Sequence, residues 1–153
     1  MLVATLLSES HERLFQYLGT LEFFDPSLVG DQIQFVSAFD ALEQEGLDAV
    51  VKLLRQECQR VGITRPLIVT DAALVKSGTV ALALEHLGER SYEIFDRVLP
   101  DPEIAIVEDC MRVYREGGHD GLIGLGGGSA IDIAKSVAAY AGYHGALEDL
   151  FGV

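Results

Sequence analysis

The chain has 153 residues and a formal net charge of −13, with 24 acidic residues against 11 Lys and Arg. That balance opposes nucleic acid and anionic membranes as partners, because both demand positive charge on the protein. A hydrophobic fraction of 49% at this length fits one folded α/β domain with a real core and argues against disorder.

Met1 to Phe24 places Leu2, Leu6, Leu14, Leu18 and Leu21 at intervals that suggest an amphipathic helix or two short ones, a helical extension over residues 1–24 punctuated by Pro26. The opening residues lack a basic region and a long apolar core, so they do not read as a secretory signal. No apolar run is long enough to span a bilayer, and a cytoplasmic protein is expected. Gln32 to Val36 alternates polar and apolar side chains, as an edge or hairpin strand does. Phe39 to Val61 is helical in pattern, with Leu42, Leu47, Val50, Val51, Leu54 and Val61 on one side and Gly62 as its stop.

Strands and helices then alternate. Strands are expected at Leu67 to Val69, Tyr92 to Phe95 and Leu122 to Leu125. Helices are expected at Ala72 to Leu87, Glu103 to Glu116 and Ala130 to Ala141, with one more turn at Leu147 to Phe151. This order predicts right-handed crossovers and a parallel sheet, a three-layer α/β domain over residues 25–153. Ligands bind such sheets at the carboxyl ends of the strands, where Asp71, Pro100 and a glycine loop fall.

That loop runs Gly121-Leu122-Ile123-Gly124-Leu125-Gly126-Gly127-Gly128-Ser129-Ala130-Ile131-Asp132-Ile133-Ala134-Lys135. An apolar strand followed by glycines and a helix start builds an anion site, because backbone amides can approach a phosphate closely. Ser129 stands where an N-cap belongs, and Asp132 in the first turn suits the helix dipole. The spacing is not the G-x-G-x-x-G fingerprint of ordinary dinucleotide folds. The bland alternative is a strand-to-helix turn with a capped helix and an exposed Asp132–Lys135 pair. Asp71 likewise has two compatible roles, as a hydrogen-bond acceptor for ribose hydroxyls and as N-cap of the Ala72 helix. Pro100, Asp101 and Pro102 make a rigid loop that launches the next helix.

Cys58 and Cys110 are distant in sequence and read as reduced, partly buried thiols. His11, His86, His119 and His144 show no ligand spacing and read as surface or cap residues.

Gly126-Gly127-Gly128-Ser129-x-x-Asp132-x-Ala134-Lys135 resembles the signature of the iron-containing (group III) alcohol dehydrogenases, which share a fold with glycerol dehydrogenase and dehydroquinate synthase. Arg65-Pro66-Leu67-Ile68-Val69-Thr70-Asp71 resembles that family's "LIVTD" strand. Phe95-Asp96-Arg97-Val98-Leu99-Pro100-Asp101-Pro102-Glu103 resembles its "FD-x-V-x-P-N-P-T" segment, with Asp101 for the usual Asn and Glu103 for the usual Thr. The resemblance is strong from Gly62 to Val153, weaker over Leu28 to Gly62 and absent before that.

The resemblance implies a Rossmann-like domain that binds NAD, with NAD preferred to NADP because of Asp71. It implies a cofactor-binding set of Asp71, Pro100, Asp101, Gly126, Gly127, Gly128, Ser129 and Asp132. The glycines and Ser129 would cradle the pyrophosphate, Pro100 and Asp101 would wall the adenine, and Asp132 would face the nicotinamide half. In the family, a following all-helical domain holds a divalent metal, iron or zinc, through an Asp and three His, and the metal polarises the alcohol or carbonyl oxygen during hydride transfer. The chain stops at Val153, before any such ligand, so no catalytic or metal residue is assigned in it. The expected reading is the cofactor-binding portion of an enzyme that interconverts alcohols and aldehydes or ketones, inactive as this chain alone and homo-oligomeric in the whole protein. The alternatives are a stand-alone nucleotide-binding module and a non-redox relative of the dehydroquinate synthase kind.

Overall fold

The computed structural model describes residues 2–5, 27, 34–37, 45–85, 87, 91–100 and 103–141. The chain divides into two compact units, residues 1–61 and 62–153.

In the first unit, strand β1 (Leu2–Thr5) pairs in parallel with strand β2 (Gln34–Ser37), Leu2 opposite Gln34 and Thr5 opposite Ser37. The helix expected from Met1 is therefore corrected at residues 2–5; residues 6–24 lie outside the described residues. Val3 and Thr5 are β-branched and favour extended backbone. Their partner strand is remote in sequence, so a local helical period could not register it. The strand expected at Gln32 to Val36, as an edge or hairpin strand, is found at Gln34–Ser37 as a parallel partner rather than half of a hairpin. Helix α1 (Leu47–Arg60) follows Gly46, which has a φ of 80°. Val50, Val51 and Cys58 are buried, and Gly62 follows the closing residue Val61.

The second unit runs β3 (Pro66–Val69), α2 (Ala72–Lys76), α3 (Thr79–Glu85), β4 (Glu93–Phe95), α4 (Ile104–Glu116), β5 (Gly121–Gly124) and α5 (Gly128–Ala141). The expected single helix from Ala72 to Leu87 is two helices. Gly78, at a φ of 81°, breaks it, and the Ser77 hydroxyl stabilises the break by donating to the Leu74 carbonyl at 3.0 Å. The last expected turn, Leu147 to Phe151, lies outside the described residues.

The three strands are parallel in the order β4-β3-β5, with β3 central and wholly buried. Side chains alternate across β3. Leu67 and Val69 join Phe95, Val107, Cys110, Met111, Ile133 and Val137 in a core under α4 and α5. Ile68 points the other way and joins Val80, Leu84 and Leu87 in a second core, with Leu74 and Val75 of α2 packed against it. Helices thus cover both faces of the sheet, which is the three-layer arrangement expected. Each such apolar side chain contributes about 1.5–3 kcal/mol on burial.

The amino ends of the strands are tied together by polar groups. The Asp120 carboxylate accepts from the Thr64 amide at 2.8 Å, the Thr64 hydroxyl at 2.6 Å and the Arg65 amide at 2.7 Å. Burial works to raise its pKa, but the hydrogen bonds from Thr64 and Arg65 outweigh it and hold the carboxyl below its usual range. His119 is buried rather than at the surface. Its Nδ1 lies 3.1 Å from the Arg65 carbonyl and its Nε2 3.3 Å from the Glu93 carboxylate. Both partners only accept, so the two bonds form together when each ring nitrogen carries a hydrogen.

Candidate functional site

The order β4-β3-β5 sends the chain from β3 outward to β4 and then back across to the other side of β3. The carboxyl ends of β3 and β5 therefore flank the switch point at which ligands enter doubly wound sheets. The Leu125 amide extends the ladder past β5 by donating to the Val69 carbonyl at 2.9 Å, which closes the floor of the crevice.

On the β3 side stands Asp71. Its Oδ1 accepts from the Ala73 and Leu74 amides, both at 2.9 Å, so the N-cap role is realised. Its Oδ2 takes no part in the cap. It faces the glycine loop, 3.6 Å from where a Cβ on Gly126 would stand. One residue earlier, Thr70 is fully buried, and its hydroxyl has no partner among the described residues.

On the β5 side the glycines divide into two kinds. Gly124 and Gly126 are required by the protein's own packing. A Cβ on Gly124 would stand 3.2 Å from the Ala134 methyl and 3.3 Å from the Ala130 carbonyl oxygen, so its absence lets α5 press onto the strand end. Gly126 has a φ of 152°, and a Cβ there would come within 3.2 Å of Ala130 and 3.3 Å of Leu74. Gly127 and Gly128 have no positive φ, and a Cβ on either would meet no atom of the described residues within 4 Å.

Helix α5 begins at Gly128, two residues earlier than the sequence implied. The Gly127 carbonyl accepts from the Ala130 amide at 3.1 Å and the Ile131 amide at 3.3 Å, so Gly127 holds the cap position. Ser129 is therefore not the N-cap but lies inside the first turn, and Asp132 moves out of the first turn. The amides of Gly128 and Ser129 have no acceptor within the helix. Asp132 and Lys135 form the exposed pair anticipated, at 3.4 Å.

Pro100 is exposed beyond the carboxyl end of β4, and Asp101 lies outside the described residues. Arg97, also beyond β4, was not singled out by its sequence. It sits across an antiparallel bridge from Asp71, a contact between remote segments that no local pattern reveals. Cys110 is a buried free thiol, pushed up to about 12 by burial and then by the neighbouring Asp109 charge, so it is no nucleophile. Among the described residues, no group of three or more His, Cys, Asp or Glu is placed to hold a metal ion, and no helix is long and apolar enough to cross a membrane.

This geometry matches known proteins. The family described as iron-containing alcohol dehydrogenase matches residues 40–153. The 4-hydroxybutyrate dehydrogenase of Cupriavidus necator is 42% identical over 97 residues, covering 63% of this chain and 25% of that protein. Among solved structures, a 1,3-propanediol oxidoreductase is 34% identical with a TM-score of 0.60, covering 65% of this chain and 27% of its own. The NADH-dependent butanol dehydrogenase A of Thermotoga maritima is 27% identical with a TM-score of 0.56, covering 65% of this chain and 26% of its own. The chain thus spans about a quarter of the length of these relatives. With motif, topology and similarity agreeing over the same residues, the chain belongs to the iron-containing alcohol dehydrogenase family.

Proposed function

We propose that this chain is the cofactor-binding part of an NAD-dependent, metal-dependent alcohol dehydrogenase. The observation that carries the reading is the pair Gly127 and Gly128. Neither backbone conformation nor packing among the described residues requires glycine there. The amides at the start of α5 are thereby left with open space before them, and a pyrophosphate is the group that such a site suits.

The remaining residues take their parts around that group. Gly126 and Ser129 complete the phosphate cradle, Ser129 by its amide and its hydroxyl. The Asp71 Oδ2 accepts from a ribose hydroxyl while its Oδ1 keeps the helix cap. Its charge repels a 2′-phosphate and so favours NAD over NADP. Pro100 and Asp101 border the adenine, and Asp132 serves the nicotinamide half on the strength of the family resemblance. The bound nicotinamide supplies the hydride chemistry. The residues described here bind and orient it. A divalent metal, iron or zinc, is held by ligands beyond this cofactor site in the whole enzyme. Its substrates are small alcohols and the matching aldehydes or ketones.

The test is a fluorescence titration of NADH into the whole enzyme of which this chain is proposed to be a part, followed by NADH-dependent reduction of short aldehydes with iron(II) or zinc(II) added. Saturable NADH binding and metal-dependent turnover are expected. Failure to bind NADH would overturn the cofactor reading, and binding without metal-dependent turnover would overturn the dehydrogenase reading.

A further inference from the structure

The amino end of the sheet holds a buried imidazole that the cofactor reading leaves unused. Strand β4 is three residues long and, among the described residues, pairs only with β3. Its first residue, Glu93, stands opposite Leu67 in that ladder. His119, between α4 and β5, ties the two strands a second time. Its Nδ1 meets the carbonyl of Arg65, the residue before β3, and its Nε2 meets the Glu93 carboxylate. The same Arg65 carbonyl accepts from the Asp120 amide at 3.2 Å, so its position is fixed independently of the ring. The ring has a built seat. Gly118, at a φ of 61°, turns the chain after α4, and the His119 amide donates to the Tyr114 carbonyl at 3.1 Å. Gly117 has an ordinary helical φ of −74°, yet a Cβ there would collide with Nε2 and stand 2.6 Å from Cδ2. The imidazole, not the backbone conformation, excludes a side chain at position 117.

The Arg65 carbonyl and the Glu93 carboxylate both accept and cannot donate. A neutral imidazole carries one hydrogen, so it makes one of these bonds and turns a lone pair toward the other acceptor. An imidazolium makes both, one of them to a charged group. The His119 side chain is fully buried whereas that of Glu93 is 51% exposed, so the pair has a solvated side from which a proton arrives. The other ionisable groups around the ring keep one charge state across the neutral range. Burial works to raise Asp120, the next residue, but its bonds from Thr64 and Arg65 hold it below the usual carboxylate range. Tyr114 of α4, whose ring centroid lies 6.2 Å from that of His119, is raised above the usual tyrosine value by burial and then by the Asp120 charge. Arg65 carries a fixed positive charge.

We propose that His119 is a proton-operated clasp, which holds β4 to the entry of β3 when both ring nitrogens carry hydrogen and releases one of its two ties when a proton leaves. The folded protein holds the second proton through both bonds, and the unfolded chain through neither. The contribution of the clasp to stability is therefore complete in mild acid and is lost as pH rises through the imidazole range. The experiment measures urea midpoints of the full chain, His119→Gln, Glu93→Gln and the double variant at about pH 6 and about pH 8.5. The gap between the parent and His119→Gln should widen from the higher pH to the lower. In the Glu93→Gln background the same substitution should open a gap that stays level, because no carboxylate is left to hold the second proton. Comparing gaps removes the general relief that acid brings to a net charge of −13, which parent and variant share. Ring-nitrogen NMR of the labelled parent at the lower pH should show hydrogen on both Nδ1 and Nε2 of His119, and it reads the clasp even where a variant fails to fold. A gap that is level with pH, one that widens toward the higher pH, equal widening in both backgrounds, or a bare ring nitrogen in mild acid overturns the proposal.

Discussion

Gly126 and Gly128 stand two residues apart in one loop, yet alanine at each should move stability in opposite directions. At Gly126 the φ of 152° is a conformation that L side chains rarely adopt, and the added methyl would press on Ala130 at 3.2 Å and Leu74 at 3.3 Å. Backbone strain of this kind costs about 1–3 kcal/mol, with overpacking added to it, so Gly126→Ala should lose about 2 kcal/mol or more. Gly128 is different, since it opens α5 without a positive φ and with nothing among the described residues within 4 Å of a new Cβ. Alanine there should gain about 0.5–1 kcal/mol through helix propensity and a narrower unfolded ensemble. The same methyl would stand where the phosphate is proposed to lie. Losing one charge-assisted hydrogen bond costs about 1.5–3 kcal/mol, which weakens NADH binding roughly tenfold to a hundredfold. Urea unfolding reads the stability and NADH fluorescence reads the affinity. The reasoning is refuted by a Gly128→Ala protein that unfolds more easily than its parent, or by one that is more stable and still binds NADH with parental affinity.

Three further outcomes follow from the cores and the strand ends. Asp120→Asn should cost about 1 kcal/mol at neutral pH, a figure discounted because the carboxylate is exposed. The folded carboxyl lies below its ordinary value of 3.8, so its stabilisation is complete above that pH and disappears as pH falls through the lower folded value. Urea midpoints of parent and variant should therefore converge in acid, and a gap that persists there would show that the contribution is not ionic. Thr70→Val should raise stability by about 1 kcal/mol, because it replaces a buried hydroxyl without a described partner by a methyl group. A loss in thermal unfolding would mean that the hydroxyl is satisfied in the folded protein. Cys110, with its thiol held at about 12 by burial, should resist iodoacetamide at pH 8 until denaturant is added, and prompt labelling of the native protein would contradict its burial.

The strand–helix order of the second unit was legible because each element carries its own period and each boundary its own punctuation. The Asp71 cap was equally legible, since it spans only three residues and depends on a side chain of known habit. Reading failed where a distant partner or a permissive backbone decided the outcome. β1 looked helical because its pairing with β2 is not local. Ser129 looked like a cap because the glycines before it gave no sign that the helix had already begun. His119 seemed a surface residue, yet it is fixed by Arg65, 54 residues away, and by Glu93. Arg97 carried no motif, and its place beside Asp71 emerges only when two strands align.

The two ends of the three-stranded sheet are built for different work. At the amino end, Asp120 and His119 gather Thr64, Arg65 and Glu93 into a closed set of hydrogen bonds that fixes how the strands start. At the carboxyl end the polar groups are left open. Asp71 keeps one oxygen out of its cap, and the first amides of α5 face away from the helix. Packing presses on any Cβ at Gly124 or Gly126, whereas nothing among the described residues does so at Gly127 or Gly128. This asymmetry places the open donors where the proposed anion would lie. It also explains how a chain with a net charge of −13 could attract an anion, because backbone amides form the cradle and the overall charge acts only at longer range. Substitutions at the amino end should therefore lower stability with little effect on NADH affinity, and alanine at Gly128 should weaken NADH binding while the fold becomes no less stable.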